Sequence, residues 1–315
     1  MKIIKGDFAS FFYQKVGEPL QRSVLLSLYS NFRIGGKADY FYEPRSVSQL
    51  VKAIRAAQEY DLPYYVIGGG YNLLFDDEGY RGLIIKNSVQ SPGPLKKGTE
   101  IEVFAGAWLN DLVLYCQQHG LAGFEFLAGI PGTVGGAVFG NAGAFGQNIG
   151  EYLKEAILLD EKGEKRKVSA QYFAFDYRFS ILKKKHFLLL KAVFSLKKGK
   201  PVEIKKRIDE TLAVRESKHP PSNIACAGSY FKNPVFPEGK KVAAAYLLDQ
   251  VGAKKLRVGD AAVHPSHSNF IINLGQASCQ DILSLAEELK KRVRAEFGLE
   301  LEEEVIHLPA EQSML

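Results

Sequence analysis

Cysteine is scarce and poorly placed for cross-linking. Cys116, Cys226 and Cys279 are the only three in 315 residues. Odd in number and far apart, they suit neither a disulfide framework nor a zinc site, and they fit a reducing compartment. Long hydrophobic runs are missing too. No apolar stretch approaches the roughly 18 residues of a membrane helix, so membrane insertion is not expected. The beginning, with Lys2, Lys5 and Asp7, lacks the sustained apolar core of a signal peptide. Low-complexity tracts and internal repeats are absent. Charge of one sign is not concentrated either: 41 Lys and Arg against 35 Asp and Glu leave +6. That excess hints at phosphorylated or carboxylate ligands. Without a basic stripe and interleaved aromatics it does not indicate nucleic acid. Length allows roughly one to three domains with a sizeable core. A cytoplasmic protein is expected.

Glycine, by contrast, is plentiful and concentrated. Positions 129, 132, 135, 136, 140, 143 and 146 are all Gly, and no charge follows Glu125 within this stretch. Such a segment should make a poor helix, since each Gly costs about 1 kcal/mol relative to Ala. It is too apolar for a flexible linker. The reading it supports is backbone laid closely along a ligand, with N–H groups free to approach phosphate or ring atoms. A tightly packed, turn-rich core segment is the alternative.

Phe8, Phe11, Phe12, Leu25, Leu26 and Leu28 read as packing residues of a helical lead-in. Gly36-Lys37 is no P-loop: Ala38 stands where Ser or Thr is needed, and Asn31 where a glycine is. Ser46 caps an amphipathic helix bearing Leu50, Val51 and Ile54 and ending at Asp61-Leu62-Pro63. The strand 64–67 then runs into Gly68-Gly69-Gly70-Tyr71-Asn72. That triplet could present a nest of N–H groups to a pyrophosphate, but it lacks the Rossmann spacing, and a tight corner explains it nearly as well. Further strands are expected at 80–86 and 100–106, a helix at 109–118, and a hairpin about Lys162-Gly163. A strand follows at 186–196 and a charged helix at 203–215, with a domain boundary near Lys197–Pro201. The last third predicts a helix at 242–250 and a turn into a strand ending at Asn273. A capping box, Ser278 with Asp281, opens a helix bearing Ile282, Leu285, Leu289 and Val293, and a final strand starts at Leu301. His264 and His267 have no third ligand nearby, and no metal site is expected.

The motifs, taken in order, are Asn31-Phe32-Arg33-Ile34-Gly35-Gly36, the triplet with Asn72-Leu73-Leu74, and Ala128-Gly129-Ile130-Pro131-Gly132-Thr133-Val134-Gly135-Gly136. Asn141-Ala142-Gly143-Ala144-Phe145-Gly146, Tyr177-Arg178, Gly228-Ser229 with Phe231-Lys232-Asn233-Pro234, and Leu301-Glu302 before Glu304-Val305 complete the set. Together they resemble the UDP-N-acetylenolpyruvoylglucosamine reductase family in its shorter form, over nearly the whole chain. The resemblance implies an α+β fold: a two-subdomain FAD-binding fold of the vanillyl-alcohol oxidase and para-cresol methylhydroxylase type, plus a C-terminal α+β substrate-binding domain. The implied segments are 1–86, 87–200 and 201–315, with the last strand, about 303–315, packing back on the FAD domain. Tyr71 departs from the family's usual Ser, Phe145 from a frequent Tyr, and Gly140 from a larger side chain.

By the same resemblance FAD is tightly bound and NADPH is the co-substrate. The substrate is UDP-N-acetylglucosamine enolpyruvate, and no obligatory protein partner is implied. Gly68, Gly69, Gly70, Tyr71, Asn72, Gly129, Ile130, Pro131, Gly132, Thr133, Gly135, Gly136, Asn141, Ala142 and Gly143 would hold FAD. Arg178, Lys232 and Asn233 would bind substrate, and Arg178, Ser229 and Glu304 would be catalytic. The enolpyruvyl alkene accepts hydride only because its carboxylate absorbs the resulting charge. Arg178 suits that anion, Ser229 would donate the proton, and Glu304 would serve as a protonated hydrogen-bond donor. Read singly, each is ordinary: a surface Arg, a turn Ser, one of three adjacent glutamates. Strand alternation puts Glu302 and Glu304 on one face, so only the motif selects Glu304. Two other functions stand beside this one: another oxidoreductase of the same flavin fold acting on an alcohol or hydroxy acid, and a non-catalytic flavin- or nucleotide-binding module.

Overall fold

A computed structural model describes residues 7–90, 93–236 and 238–311, so Lys2 and Lys5 fall outside it. The chain divides into two compact units. The first comprises Met1–Arg22, Tyr40–Gly69 and Gly82–Arg215; the second comprises Ser23–Asp39, Gly70–Arg81 and Glu216–Leu315. Among the described residues no helix is long and apolar enough to cross a membrane.

In the first unit, helix α1 (Phe8–Val16) buries Phe8 and Phe12 with Leu50, Val51 and Ile54 of helix α2 (Val47–Tyr60). Ser46 caps α2 and Gln49 returns the bond, so the chain enters the helix with its first N–H groups satisfied. Leu83 and Ile85, from the strand Tyr80–Lys86, join this core. That strand pairs in parallel with Tyr64–Ile67. Parallel neighbours need a crossover, and this one, residues 68–79, carries the glycine triplet.

A second, antiparallel sheet orders its strands Lys165–Ser169, Leu153–Leu159, Leu188–Ser195, Glu100–Phe104, Leu95–Lys97. The expected hairpin forms with Leu159 opposite Lys165 and Gly163 at positive φ. Helix α3 (Leu109–Gln118) and helix α4 (Val134–Phe139) share this sheet's core, and helix α5 (Pro201–Lys218) adds Ile204 and Ile208.

Helix α4 departs from expectation, because Val-Gly-Gly-Ala-Val-Phe is helical despite two interior glycines. Thr133 Oγ1 accepts from the Gly136 N–H, while Val134, Ala137 and Val138 are buried. Gly135 is needed for close approach: its N–H donates to Ala105 O at 2.7 Å, and a Cβ would sit 3.0 Å from that oxygen. Tertiary packing offsets the propensity cost. The lead-in leucines differ as well. Leu26 is fully buried, but Leu25 and Leu28 are 42% and 77% exposed, because the chain passes there from a strand into a 3₁₀ turn, Leu26–Tyr29.

The second unit gathers Phe32, Ile34 and Leu74 into one core with the last third of the chain. Its helices are α6 (Ala244–Gln250) and α7 (Cys279–Phe297). Ser278 and Asp281 form the expected capping box on α7, and Gly298 ends it in the left-handed region. The final strand is Ile306–Leu308, five residues later than the expected start, and it lies parallel to Leu73–Phe75. Gly36 packs against that region's backbone: a Cβ there would meet Asp77 O at 2.2 Å. Close backbone crossing accounts for this glycine without a phosphate.

Candidate functional site

Within the first unit the candidate residues meet around Thr133. A Cβ on Gly68 would lie 2.4 Å from Thr133 Oγ1, so the strand end and the glycine segment touch only because residue 68 has no side chain. The same hydroxyl caps Gly136 N. Gly132, at positive φ, has nothing within 4 Å of where its Cβ would be, and at Gly136 only Thr133 Oγ1 is near, at 3.6 Å. Gly129, Pro131 and Gly136 are exposed, with Ile130 and Gly132 half-buried. The result is an accessible strip with open space where Gly132 and Gly136 lack side chains.

Asn141 is 3% exposed, and both ends of its amide are used internally. Nδ2 donates to Asp176 O at 2.8 Å, and Oδ1 accepts from Gly150 N at 3.1 Å. It thereby fixes the turn Asp176–Phe179, whose tip holds Arg178 at φ 54°. A left-handed non-glycine residue costs of order 1 kcal/mol or more, so this turn sets the direction of Arg178 at some strain. Arg178 Nη1 donates to Gly143 O at 3.0 Å. Gly143 itself admits the adjacent hairpin, since a Cβ would meet Gln147 O at 2.5 Å.

Arg215, which sequence reading passed over, belongs here too. Burial first, and the Arg178 cation second, hold its guanidinium below the ordinary arginine range. Its Nε is buried without a hydrogen-bond partner among the described residues. A buried guanidinium that also feels the Arg178 charge favours an anion.

In the second unit, Ser229 is half-buried and begins an extended segment held on both sides. On one side Glu304 N donates to Tyr230 O and Lys232 N donates to Glu302 O, each at 2.8 Å. On the other, the buried Asn269 takes the place of a strand. Its carbonyl accepts from Tyr230 N, its Oδ1 accepts from Phe231 N, and its Nδ2 donates to Phe231 O. Asn269→Ala would strand both Phe231 groups, each worth about 1–3 kcal/mol when buried unpaired. A loss of at least about 2 kcal/mol is expected, read as a lowered urea midpoint at unchanged slope.

The three glutamates separate in the structure. Glu302 is exposed and pairs with Lys232, and Glu303 pairs with Lys290 at 2.6 Å. Glu304 is half-buried, and its carbonyl accepts from Asn72 Nδ2 at 2.9 Å. Gly70 and Tyr71 precede Asn72; Gly70 is confined by Tyr29 O, 1.8 Å from where its Cβ would be. Asn233 Oδ1 accepts from Ala244 N at the start of α6.

Residues 219–308 match the UDP-N-acetylenolpyruvoylglucosamine reductase C-terminal domain, and residues 38–169 match an FAD binding domain. A Clostridium botulinum UDP-N-acetylenolpyruvoylglucosamine reductase is 38% identical over 286 residues, covering 91% of this chain and 92% of that protein. One from Solibacter usitatus is 39% identical over 300 residues, covering 90% and 95%. The crystal structure of the Thermus caldophilus reductase matches with a TM-score of 0.75 at 33% identity, over 92% of this chain and 99% of that one. The chain belongs to the UDP-N-acetylenolpyruvoylglucosamine reductase family.

As a member of this reductase family it is an FAD-dependent oxidoreductase, with an FAD-binding fold and a separate C-terminal domain. Space stands open beside Gly132 and Gly136 where a side chain would lie, as a bound cofactor would require. Gly136→Leu tests this. If Gly136 were only a helix residue, the change would gain up to about 1 kcal/mol of helix propensity. The reductase variant is expected instead to fold with an unchanged far-ultraviolet spectrum and to purify colourless. Full flavin occupancy would remove this strip from the cradle.

Proposed function

We propose that the chain reduces the enolpyruvyl ether of UDP-N-acetylglucosamine to UDP-N-acetylmuramate, with NADPH as co-substrate, as a cytoplasmic step of peptidoglycan precursor synthesis. Bound FAD supplies hydride transfer between the two substrates. The observation that carries the reading is the Arg178 turn, aimed by Asn141 and neighboured by Arg215. Hydride arriving at the β-carbon pushes charge through the α-carbon into the carboxylate, and a fixed guanidinium stabilises that charge as it grows. Ser229 then gives its proton to the α-carbon. Its rigid backbone setting suits a donor that must be aimed at one atom. Glu304, protonated, donates a hydrogen bond to the developing dianion, and its half-buried position supports choosing it over the exposed Glu302. Lys232 and Asn233 bind the nucleotide sugar. Gly68–Asn72, Gly129–Gly136 and Asn141–Gly143 hold FAD, chiefly through backbone. The segments 1–86, 87–200 and 201–315 remain the proposed functional division. The test is NADPH consumption by purified protein, followed with product mass. Turnover that needs the enolpyruvyl nucleotide and yields a product two hydrogens heavier supports the reading. Turnover indifferent to that nucleotide, or none, overturns it.

A further inference from the structure

We propose that Asp76, Cys279 and His307 form a binding site for a divalent cation of the zinc class, apart from the flavin and substrate residues. They come from separate parts of the sequence, which is why no spacing motif reveals them. Asp76 follows the strand Leu73–Phe75, His307 lies in its parallel neighbour Ile306–Leu308, and Cys279 is the first residue of α7. A sulfur, an imidazole nitrogen and a carboxylate oxygen of the three all lie within 4.8 Å of one another.

Each partner is held in place by bonds that leave its ligand atom available. Asp76 Oδ1 accepts from Glu78 N at 2.9 Å, and the Asp76 N–H donates to Leu308 O. Its Oδ2 faces His307 Nε2 at 3.8 Å, too far for a hydrogen bond. His307 Nε2 is buried and has no hydrogen-bond partner among the described residues. Leaving such an atom unpaired costs about 1–3 kcal/mol, and a shared cation would remove that cost. The Cys279 N–H donates to Asp77 Oδ1 at 2.8 Å, which anchors the cysteine backbone and leaves its sulfur free to turn inward.

The Asp76–His307 distance suits an ion. Zinc bonds of about 2.0–2.3 Å at a tetrahedral angle put two ligand atoms about 3.3–3.6 Å apart, so closing the Asp76–His307 gap takes only a few tenths of an ångström. A thiolate, an imidazole and a carboxylate together select zinc-like ions over magnesium or calcium. Three protein ligands leave a fourth position for water. The site would pin the strand that leaves Glu304, whose carbonyl is bound by Asn72, and so steady the backbone on either side of both residues.

The probe is Co²⁺, titrated into the full-length, flavin-loaded protein after chelator treatment and desalting. Expected are one equivalent bound, ligand-field bands to the red of the flavin absorption, displacement by Zn²⁺, and a raised melting temperature with Zn²⁺. Cys279→Ser should abolish the thiolate charge-transfer signal and weaken binding at least tenfold. His307→Gln and Asp76→Asn, at half-exposed positions, should weaken it comparably and serve if Cys279→Ser does not fold. Wild-type protein that binds neither ion stoichiometrically, or binding unchanged in these variants, would overturn the site.

Discussion

Ser229→Ala should leave reduction of the bound flavin by NADPH nearly intact and slow its reoxidation by the enolpyruvyl substrate by about 10²–10⁴-fold, the usual worth of a positioned general acid. The expectation comes from where Ser229 sits. It precedes a segment tied to Glu302 and Glu304 on one side and to Asn269 on the other, so its backbone has little freedom. Removing one hydroxyl disturbs none of those bonds. Folding, flavin content and the first half-reaction therefore have no reason to change. Rapid-mixing traces with both half-reactions slowed alike would count against a proton-donor role.

Arg178→Lys should slow substrate reduction by well over tenfold, more than about 1.4 kcal/mol at the barrier. Lysine keeps the charge but loses the planar two-pronged fork, and one prong is already anchored on Gly143 O. Part of any Arg178 contact with substrate binds a carboxylate that is anionic from the start, and that part moves only the dissociation constant. The part that grows with the transferred charge lowers the barrier. Arg215 would partly hold the anion in the variant, so affinity should fall less than rate. The single-turnover rate at saturating substrate separates the two. A wild-type rate with only weaker binding would reduce Arg178 to a docking residue.

Much of the fold was legible because its signals are local. Ser46 as a cap and Ser278 with Asp281 as a capping box name the starts of α2 and α7 within four residues of chain, and the structure caps both. The hairpin about Gly163 is equally local. Helix α4 was not legible: propensity argues against it, and what holds it is Thr133 together with the Ala105 backbone. The exposure of Leu25 and Leu28 was hidden for a similar reason, since apolar character alone does not say where a strand gives way to a turn. The candidate site was legible only as motifs. Arg215 sits in a helix rich in charge, and nothing near it in sequence announces Arg178 as its neighbour. Asn269 reads as a turn residue until its amide is seen completing a sheet-like pairing with Phe231. Glu302 and Glu304 share a face by alternation, and their different burial and partners come from other parts of the chain.

The central claim is that the enolpyruvyl nucleotide, and not an alcohol, a hydroxy acid or oxygen, takes the hydride. It is tested most directly by reducing the flavin-loaded protein with one equivalent of NADPH under anaerobic conditions and then mixing it with UDP-N-acetylglucosamine enolpyruvate. The expected result is return of the oxidised flavin spectrum within the mixing experiment, with one UDP-N-acetylmuramate formed per flavin. A spectrum that stays reduced until air is admitted, with the enolpyruvyl nucleotide recovered unchanged, would contradict it.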